Sequence, residues 1–470
     1  MLPSNWMKII VAGTGFVGLT HAAVCSEYGH EVQAYDIDQK RLDAYRSGRR
    51  EQIEHYVNEP GLAQIIAENI NRYLFFTGDL EAAIEGAEAI FLCLPTPPRP
   101  NGSSDLTAYF SAANHIAGLL AKRKDTRRVV LINKSTVPIG TARQLEAVLK
   151  QHKVANAGVA SNPEFLPEGD AVEKSRRPDR VVVGADTGED FRILRRVYSQ
   201  FVNHVRIAFV ETTPETAESI KYVANTLLLT YISFWNGVGA RLAEAFPNVR
   251  MEDLKRGVTA DNRISKWGSY VSNGAGGSCF GKDIQSLIYQ VRSAHQSTDL
   301  LESVYAINEY QKTYLIDRAI REAGANFNQK TVALLGLAFK KQTNDMRDAS
   351  SLKVVEALLA RGVKAIRAYD PLAIPEAKRY LDPEHNHLFE KITYHDNVKE
   401  ALAGSNMLFV STDWEEFRGL SSTIQQCVTP PYLVIDGRRM IPDYRDLVEQ
   451  GYGYIAVGSP NLVAVSPAGT

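Results

Sequence analysis

Residues 8–18 of the chain read KIIVAGTGFVG: a short run typical of a buried strand passes directly into three glycines spaced as GxGxxG. A helical pattern and a second strand follow, and the second strand ends on Asp36. In such a strand–turn–helix unit, Gly13 makes the tight turn, Gly15 admits a pyrophosphate and Gly18 lets the helix pack on the strand. The stretch therefore predicts a parallel α/β sheet that binds a dinucleotide.

The acidic residue at the end of the second strand indicates which dinucleotide is bound. The carboxylate of Asp36 would accept hydrogen bonds from the two adenosine ribose hydroxyls and would repel a 2'-phosphate, which favours NAD over NADP. The alternative is a βαβ unit that binds nothing, and the combination of strand, helix and acidic residue disfavours it. We expect NAD to contact Gly13, Gly15, Phe16, Val17, Gly18, Asp36 and Arg41.

Length and composition restrict the class of protein. A chain of 470 residues is too long for one core and predicts two or three domains. The formal charge of -1 provides no general attraction to nucleic acid or to an anionic membrane. The four cysteines form no CxxC pair, which argues against a metal site and a disulfide framework and favours a reducing compartment. With no signal peptide and no long apolar run visible, we expect a cytoplasmic protein.

Further strand-like runs continue the first domain. Residues 89–94 and 129–133 are apolar and end in short polar turns, and later strands are expected at residues 181–184 and 205–208. Ligands of an open α/β sheet lie beyond the carboxyl ends of its strands. Thr96, Ser135 and Thr136 therefore fall on the cofactor side, although each alone could be an ordinary turn residue.

Two later segments carry charged groups in unusual surroundings. Glu164 and Glu168 stand four residues apart in the motif NPEFLPEG, where prolines and aliphatic residues constrain the loop, and they are candidate acid or base groups. A long helical pattern then runs from Pro214 to Phe246. Lys221 and Asn225, four residues apart, share one face of this largely apolar helix.

A glycine-rich segment with one cysteine is the strongest candidate for chemistry. Residues 270–283 read YVSNGAGGSCFGKD, and glycines at this density let the backbone approach a ligand closely. Cys279 precedes Lys282 and a predicted helix start, where positive charge and helix-end amides stabilise a thiolate. The alternative, an ordinary buried thiol, fits the polar surroundings less well. We therefore predict a cysteine nucleophile.

A second strand–glycine turn at residues 329–336 begins another α/β domain, without the GxGxxG spacing. Basic residues follow it instead, which suits a phosphorylated ligand that needs countercharge. The alternative is that some of these are ordinary exposed side chains. The basic residues in question are Lys340, Lys341, Arg347 and Arg438.

Taken together, these motifs resemble those of the UDP-glucose/GDP-mannose dehydrogenase family over nearly the whole chain. The matching motifs are GTGFVG with Asp36, KSTVPIGT, NPEFLPEG, Lys221 with Asn225, DNRI, GAGGSCFGKD, GLAFKK with Arg347, TDWEEF and DGR. The resemblance implies two Rossmann-like doubly wound α/β domains joined by a long central helix and a helical dimerisation region. The implied limits are 1–212 for the NAD-binding domain, 213–325 for the central region, 326–456 for the UDP-sugar-binding domain and 457–470 for a tail.

The resemblance also implies a reaction. The family oxidises the C6 alcohol of a nucleotide sugar to a carboxylate with two NAD, and UDP-glucose is the favoured substrate here. Cys279 would bond to the aldehyde as a thiohemiacetal and then form a thioester. Lys221 and Asn225 resemble the pair that stabilises the developing oxyanion, and the remaining groups manage protons and hydrolysis. The implied catalytic residues are Cys279, Lys221, Asn225, Asp283, Glu164 and Thr136.

The remaining contacts are likewise implied by the family pattern. Further cofactor contacts would be Thr96, Ser135, Thr136, Glu168, Lys282 and Arg347. Substrate contacts would be Phe165, Leu166, Glu168, Lys221, Asn225, Arg263, Tyr270, Ser272, Gly274, Gly276, Phe339, Lys340 and Arg438. The chain departs from the pattern at Gly281, where many members carry proline, and at residues 270–273.

Two rival interpretations remain at this point. The first is the same reaction on GDP-mannose or a UDP-N-acetylhexosamine, and Ser278 and Lys282 beside the cysteine favour the UDP-glucose type over the N-acetyl type. The second is a catalytically silent structural protein that senses NAD, which is disfavoured because every expected catalytic group is present. The expected partners are a small nucleotide sugar and a second copy of the chain, with no metal, nucleic acid or membrane.

Overall fold

The computed structural model describes residues 6–460, so most of the expected tail, residues 461–470, lies outside the described residues. Within the described part, the chain forms two compact units. The first contains residues up to 224 together with residues 289–296, and the second contains residues 225–288 and those from 297 onward. Each unit has its own α/β sheet, which confirms the predicted fold class.

The first unit is built on an eight-stranded sheet in the order β3-β2-β1-β4-β5-β6-β7-β8, counted over the described residues. Its strands are β1 Lys8–Ala12, β2 Glu31–Tyr35, β3 Leu74–Thr77, β4 Ala89–Leu92, β5 Val129–Asn133, β6 Ala157–Ser161, β7 Arg180–Ala185 and β8 Ala208–Thr212. The strand β1 is central and pairs in parallel with β2 and β4, which explains its continuous apolar run. Only the pairing of β6 with β7 is antiparallel among the described strands.

The helices of the first unit lie along the chain between these strands. They are α1 Phe16–Glu27, α2 Gln39–Arg46, α3 Arg50–Tyr56, α4 Leu62–Asn69, α5 Leu80–Ile84, α6 Thr107–Leu120, α7 Thr141–Gln151, α8 Ala171–Arg176 and α9 Gly188–Val197. The strand expected at residues 205–208 is wrong in its position, because β8 begins at Ala208 and the preceding residues form a turn. Val205 is fully exposed there, so its apolar side chain does not mark a strand.

The segment between the two sheets is helical, as predicted. Its helices are α10 Pro214–Phe234, α11 Ala240–Ala245, α12 Met251–Val258, α13 Phe280–Ser293 and α14 Asp299–Ala323. A π-helical turn, Trp235–Gly239, connects α10 to α11, so the predicted long helix is continuous but locally widened. The helix predicted at residues 283–287 is present as part of α13, which begins three residues earlier, directly after Cys279.

The second unit carries a six-stranded sheet in the order β11-β10-β9-β12-β13-β14, and all the pairings of its described strands are parallel. Its strands are β9 Thr331–Leu335, β10 Ala365–Tyr369, β11 Ile392–Tyr394, β12 Met407–Val410, β13 Leu433–Asp436 and β14 Gly453–Ala456. Its remaining helices are α15 Ser350–Ala360, α16 Ile374–Tyr380, α17 Val398–Leu402, α18 Ser421–Cys427 and α19 Tyr444–Glu449. The sheet places the carboxyl ends of β9, β12 and β13 side by side.

Residues 6–460 lack two features, a membrane-spanning helix and a cluster of metal ligands. No helix in that range is both long and apolar enough to span a bilayer. The same range has no group of three or more His, Cys, Asp or Glu side chains placed to hold a metal ion. All four cysteines are free thiols.

Candidate active site

The glycine turn after β1 has the geometry that a dinucleotide requires. Gly13 has a φ of 95°, and a Cβ atom there would lie 2.4 Å from the carbonyl oxygen of Cys93. A Cβ at Gly18 would lie 1.8 Å from the carbonyl oxygen of Gly13, so helix and strand can pack closely only without that side chain. Gly15 faces open space instead. The turn is therefore tight on one side and open on the side where a pyrophosphate would lie.

The helix α1 and Asp36 complete this cradle. The helix begins at Phe16, and Gly15 at its N-cap has no side chain to cover the first amides, which include that of Val17. The Oδ2 atom of Asp36 accepts hydrogen bonds from the Thr14 amide (2.8 Å) and hydroxyl (2.7 Å), and from Arg41 Nη1 at 3.2 Å. Burial alone would raise the pKa of Asp36, but these donors lower it below its ordinary value. The residues present thus fit NAD, with an ionised carboxylate at the ribose position.

The turns after β4 and β5 meet at the same edge of the sheet. The Thr96 hydroxyl donates to the carbonyl oxygen of Thr136 at 2.9 Å, and the Ser135 hydroxyl donates to that of Leu94 at 2.7 Å. A small pocket opens beside these turns within the first unit. It is lined by Asn133, Ser135, Thr136, Val137, Ser161, Pro163, Glu218 and Lys221. The structure therefore brings together Thr136 and Lys221, two of the predicted catalytic residues.

Lys221 forms a buried ion pair with the predicted carboxylate Glu164. Lys221 Nζ lies 2.8 Å from Glu164 Oε1, and the side chains are 5% and 8% exposed. Glu164 Oε2 also accepts a hydrogen bond from the Leu166 amide at 2.5 Å. Burial raises the pKa of the Glu164 carboxyl, but the Lys221 ammonium, the Leu166 amide and the Lys134 ammonium together outweigh burial, and the pKa lies below its ordinary value. The pair combines a carboxylate that is ionised at neutral pH with a hydrogen-bond donor to it.

The rest of the NPEFLPEG loop is arranged around this pair. The guanidinium carbon of Arg180 lies 3.7 Å from the centre of the Phe165 ring, and Lys221 Nζ lies 5.5 Å from it. Phe165, Leu166 and Glu168 are half-buried. The loop therefore supports Lys221 through an aromatic ring as well as through Glu164.

Two buried charges in the first unit escaped the sequence interpretation. Glu218 accepts hydrogen bonds from the amides of Gly140 (2.6 Å) and Ala142 (2.9 Å), so it caps the start of α7. Glu218 precedes Lys221 by three residues on α10, and that helical spacing was the signal that could have identified it. Lys134 Nζ donates to Asn162 Oδ1 at 2.9 Å. Burial lowers the pKa of the Lys134 ammonium.

In the second unit, Cys279 stands at the start of α13. Its carbonyl oxygen accepts the first helical hydrogen bond, from the Asp283 amide at 2.8 Å. The side chain is half-buried, and the Ser278 hydroxyl lies 3.6 Å from the sulfur. The structure thus confirms that the cysteine directly precedes a helix, where helix-end amides favour a thiolate.

Asp283 is a second acidic centre in the same turn. Asn225 Nδ2 donates to its Oδ2 at 2.7 Å, and Lys282 Nζ donates to its Oδ1 at 2.5 Å. The residue is 1% exposed, so both carboxylate oxygens are paired away from water. Three predicted site residues therefore form one buried hydrogen-bonded cluster within the second unit.

The glycine loop before Cys279 is buried along most of its length. Tyr270 is 42% exposed, whereas Ser272, Gly274 and Gly276 are buried. The Ser272 amide donates to Asn236 Oδ1 at 2.9 Å, and Asn236 lies in the π-helical turn. Hydrogen bonds to the backbone therefore help to fix the path of the loop.

The predicted basic residues of the second unit have different surroundings. Arg438 donates to the backbone carbonyl oxygens of Ser411 (2.8 Å) and Phe339 (3.0 Å) and is half-buried. Lys340 Nζ lies 5.6 Å from the Phe339 ring. Arg347 and Arg263 are exposed and pair with acidic residues two positions earlier in the chain. The structure groups Arg438, Lys340 and Phe339, and it leaves Arg263 on the surface of its unit.

The glycine turn after β1 fits a dinucleotide, and the thiol of Cys279 stands at the start of α13. Together these features define the class of protein as a dinucleotide-dependent oxidoreductase. Comparison with known proteins narrows this class. Models of the UDP-glucose/GDP-mannose dehydrogenase family match three segments: the NAD binding domain at residues 7–202, the central domain at 215–310 and the UDP binding domain at 333–443. The chain belongs to this family and is an NAD-dependent dehydrogenase of nucleotide sugars.

Individual relatives resemble nearly the whole chain. The UDP-glucose 6-dehydrogenase of Pseudomonas aeruginosa is 36% identical over 97% of this chain and 98% of its own length. The UDP-glucose 6-dehydrogenase TuaD of Bacillus subtilis is 32% identical over 98% and 95%. The solved structure of a UDP-glucose dehydrogenase from Pyrobaculum islandicum has a TM-score of 0.85 at 30% identity, covering 98% of this chain and 99% of that one.

Proposed function

We propose that the protein oxidises the C6 alcohol of UDP-glucose to the carboxylate of UDP-glucuronate. The reaction removes four electrons: one UDP-glucose, two NAD and one water give UDP-glucuronate, two NADH and protons. The similarity to proteins named UDP-glucose 6-dehydrogenase, at 36% and 32% identity, supports this substrate. The observation that carries the proposal is the half-buried Cys279 at the start of α13, in the same helical turn as a buried carboxylate.

The first unit would hold the cofactor. The amides at Gly13 to Gly18 would bind the pyrophosphate, and Asp36 would bind the adenosine ribose. NAD bound there supplies the hydride acceptor for both oxidations. Thr96, Ser135, Glu168, Lys282 and Arg347 are proposed as further contacts.

The chain's own part in the chemistry centres on Cys279. Its sulfur would add to the aldehyde carbon formed by the first oxidation, and the carbonyl oxygen would take a proton to give a thiohemiacetal. Loss of a second hydride from that carbon, with release of the hydroxyl proton, leaves a thioester. The covalent bond retains the reactive aldehyde between the two oxidations, which is what a nucleophile contributes here. A water would then replace the sulfur and give the carboxylate and the free thiol.

Lys221 and Asn225, one turn apart on α10, are proposed to donate hydrogen bonds to the oxygen that gains charge in each step. Glu164 and Asp283 are proposed to accept and return protons. Each is already paired with one of these two donors, Glu164 with Lys221 and Asp283 with Asn225. A proton could pass from the Lys221 ammonium to Glu164 through their hydrogen bond, whereas the Asn225 amide does not ionise and holds the Asp283 carboxylate in place. Thr136 is proposed to hold the hydrolytic water.

We further propose that the protein is located in the cytoplasm and that its domain limits are 1–212, 213–325 and 326–456.

We also propose that the protein is a homodimer. Large apolar side chains are exposed along one stripe of the helical segment in the second unit. Leu227, Phe234, Val238 and Leu242 are 41–55% exposed. Their spacing of four and seven residues places them on one face of a helix. A second copy of the chain would cover this face.

Steady-state assays with a panel of nucleotide sugars test the substrate. The expected result is that UDP-glucose has the highest kcat/KM, and that GDP-mannose and UDP-N-acetylhexosamines are oxidised at least about a hundredfold less efficiently. Turnover of one of those sugars without turnover of UDP-glucose would reject the proposed substrate and leave the family assignment standing.

A further inference from the structure

Asp348 lies after β9 in the second unit and has an unusual backbone. Its φ is 53°, in the left-handed region that few residues with a Cβ adopt and that Asp and Asn tolerate best. In this conformation its carbonyl oxygen lies 2.4 Å from where a Cβ of Gly276 would be. Its Oδ2 atom lies 2.7 Å from where a Cβ of Gly281 would be. Asp348 therefore fills the space that two glycines leave on the two sides of Cys279.

A fully buried lysine holds this aspartate. Lys312 is 0% exposed, and its Nζ atom lies 2.5 Å from Asp348 Oδ1 and 2.7 Å from Glu309 Oε1. A buried ammonium destabilises the fold unless it is paired, so these contacts fix its position. The Lys312 Cγ atom also lies 3.0 Å from where a Cβ of Gly274 would be. Lys312 thus touches the glycine loop and Asp348 at once.

Hydrogen bonds tie the same loop to the same two segments. The Gly277 amide donates to the carbonyl oxygen of Arg347 at 2.9 Å. Asn308 accepts from the Ala275 amide at 2.8 Å and donates to the Ala275 carbonyl oxygen at 3.0 Å. Asn308 and Lys312 are four residues apart on α14 and share one face. The α14 face and the segment around Asp348 therefore hold the loop from two directions.

We propose that Lys312 and Asp348 are a positioning pair that fixes the loop and the first turn of α13 around Cys279 and sets the charge near its sulfur. The inference rests on the proposed nucleophilic role of Cys279. The start of α13 favours a thiolate there. The Asp348 carboxylate, packed against Gly281 in that turn, opposes the thiolate, and Lys312 offsets the carboxylate.

Other charged groups lie beside this pair or in the first turn of α13, and none of them is mutated in the test. They are Glu309 on α14, Lys353 on α15, and Lys282 and Asp283 on α13. The Asp348 side chain is 35% exposed, and its partial burial raises the pKa of its carboxyl, although Lys312 opposes that rise. Each of the two partners can be neutralised separately, so the direction of the electrostatic effect on the sulfur can be measured.

The rate at which iodoacetamide alkylates Cys279, followed by mass spectrometry from about pH 5 to pH 9, reports the thiolate. Asp348→Asn preserves shape and tolerates the positive φ, and it should shift the midpoint to lower pH by about half a unit or more. Lys312→Met should shift the midpoint to higher pH, and the double variant should lie between the two. Shifts of both single variants in the same direction, or no shift, would overturn the proposal, because general loosening of the fold cannot give opposite signs.

A second test uses the contact at Gly281. Gly281→Ala should lower the turnover, because the new Cβ displaces the Asp348 carboxylate and with it the positioning of the first turn of α13. Adding Asp348→Gly should recover part of the loss, since it removes the carboxylate and suits the positive φ. Gly188→Ala is the matched control, because Gly188 begins α9 and a Cβ there meets nothing within 4 Å. A harmless Gly281→Ala, or no recovery in the double variant, would contradict the pair.

The alkylation readout does not depend on the substrate. Opposite shifts in a chain that fails to oxidise UDP-glucose would support the positioning pair while rejecting the proposed substrate. Turnover of UDP-glucose without the opposite shifts would reject the pair alone.

Discussion

Replacing Lys221 by methionine tests the buried ion pair of the first unit. Lys221→Met keeps most of the side-chain volume and leaves Glu164, 8% exposed, with its Leu166 hydrogen bond but without its cation. Removing one partner of a buried pair typically costs 3–5 kcal/mol. Because Glu164 keeps one donor and can take up a proton, we expect the lower end, a loss of about 3 kcal/mol at neutral pH.

The loss should depend on pH in a defined direction. In the parent chain the pKa of Glu164 lies below its ordinary value, so its contribution to the free energy of unfolding is present above that ordinary value and is lost as the pH falls through the lowered pKa. In Lys221→Met, burial is opposed only by the Leu166 hydrogen bond and by the more weakly acting Lys134 ammonium, so the pKa of Glu164 should rise and protonation should relieve the strain at low pH. The difference between variant and parent should therefore be largest near pH 7 and shrink toward about pH 4.

Hydrogen exchange of peptides that cover β5 and β6 measures the opening free energy of this unit without assuming that the whole chain unfolds in one step. The double variant Lys221→Met/Glu164→Gln should be more stable than Lys221→Met, because no buried charge is left unpaired. Lys174→Met is the control: Lys174 pairs with Asp179 on the surface at 3.5 Å, and its loss should cost less than about 0.5 kcal/mol. Equal losses in Lys221→Met and Lys174→Met, or strict additivity in the double variant, would refute the reasoning.

Three further predictions concern the cofactor and the assembly. Asp36→Ala should raise the KM for NAD about tenfold or more in steady-state assays, because charge-assisted hydrogen bonds to the ribose are lost. It should also reduce the preference of the enzyme for NAD over NADP. An unchanged KM for NAD would contradict the ribose contact. Gly13→Ala should destabilise the first unit by about 2 kcal/mol or more in thermal unfolding, because the φ of 95° and the nearby Cys93 carbonyl oxygen exclude a side chain. A Tm equal to that of the parent chain would argue against this turn. Phe234→Asp should give a monomer by light scattering, since a charge on an exposed apolar face opposes association, whereas an unchanged mass would exclude this face as the dimer contact.

The parts of the fold that could be predicted from the sequence have local causes. The turn at Gly13 to Gly18 is defined by backbone sterics within six residues, and the structure shows the close approaches that those glycines allow. The presence of a helix after Cys279 follows from a glycine-rich run passing into a helical pattern, although α13 begins three residues before the predicted start at Asp283. Such features need no knowledge of distant contacts.

Other parts depend on contacts between distant segments and could not be predicted. The antiparallel pairing of β6 with β7 leaves no mark on the apolar runs of these strands, since both are buried on each face. The start of β8 was misplaced because Val205 is apolar but exposed. Glu218 and Lys134 are buried charges whose partners lie tens of residues away, so their importance appears only in the folded chain.

In the candidate site, too, some residues could be predicted from local sequence, whereas their partners could not. Cys279, Lys221 and Asn225 could be selected from the sequence because a thiol in a glycine loop and polar residues on an apolar helix are locally unusual. The pairing of Lys221 with Glu164, and of Asn225 with Asp283, joins residues 57 and 58 positions apart and required the structure. Asp348 could not be identified from the sequence, because its role follows from its backbone conformation and from its contacts with two glycines elsewhere in the chain.

The central claim is that Cys279 retains the substrate through two successive oxidations. The most direct test is the yield of NADH when a limiting amount of UDP-glucose is consumed to completion with excess NAD. The account predicts two NADH per UDP-glucose, with UDP-glucuronate as the product. One NADH per UDP-glucose, with the aldehyde released into solution, would contradict it.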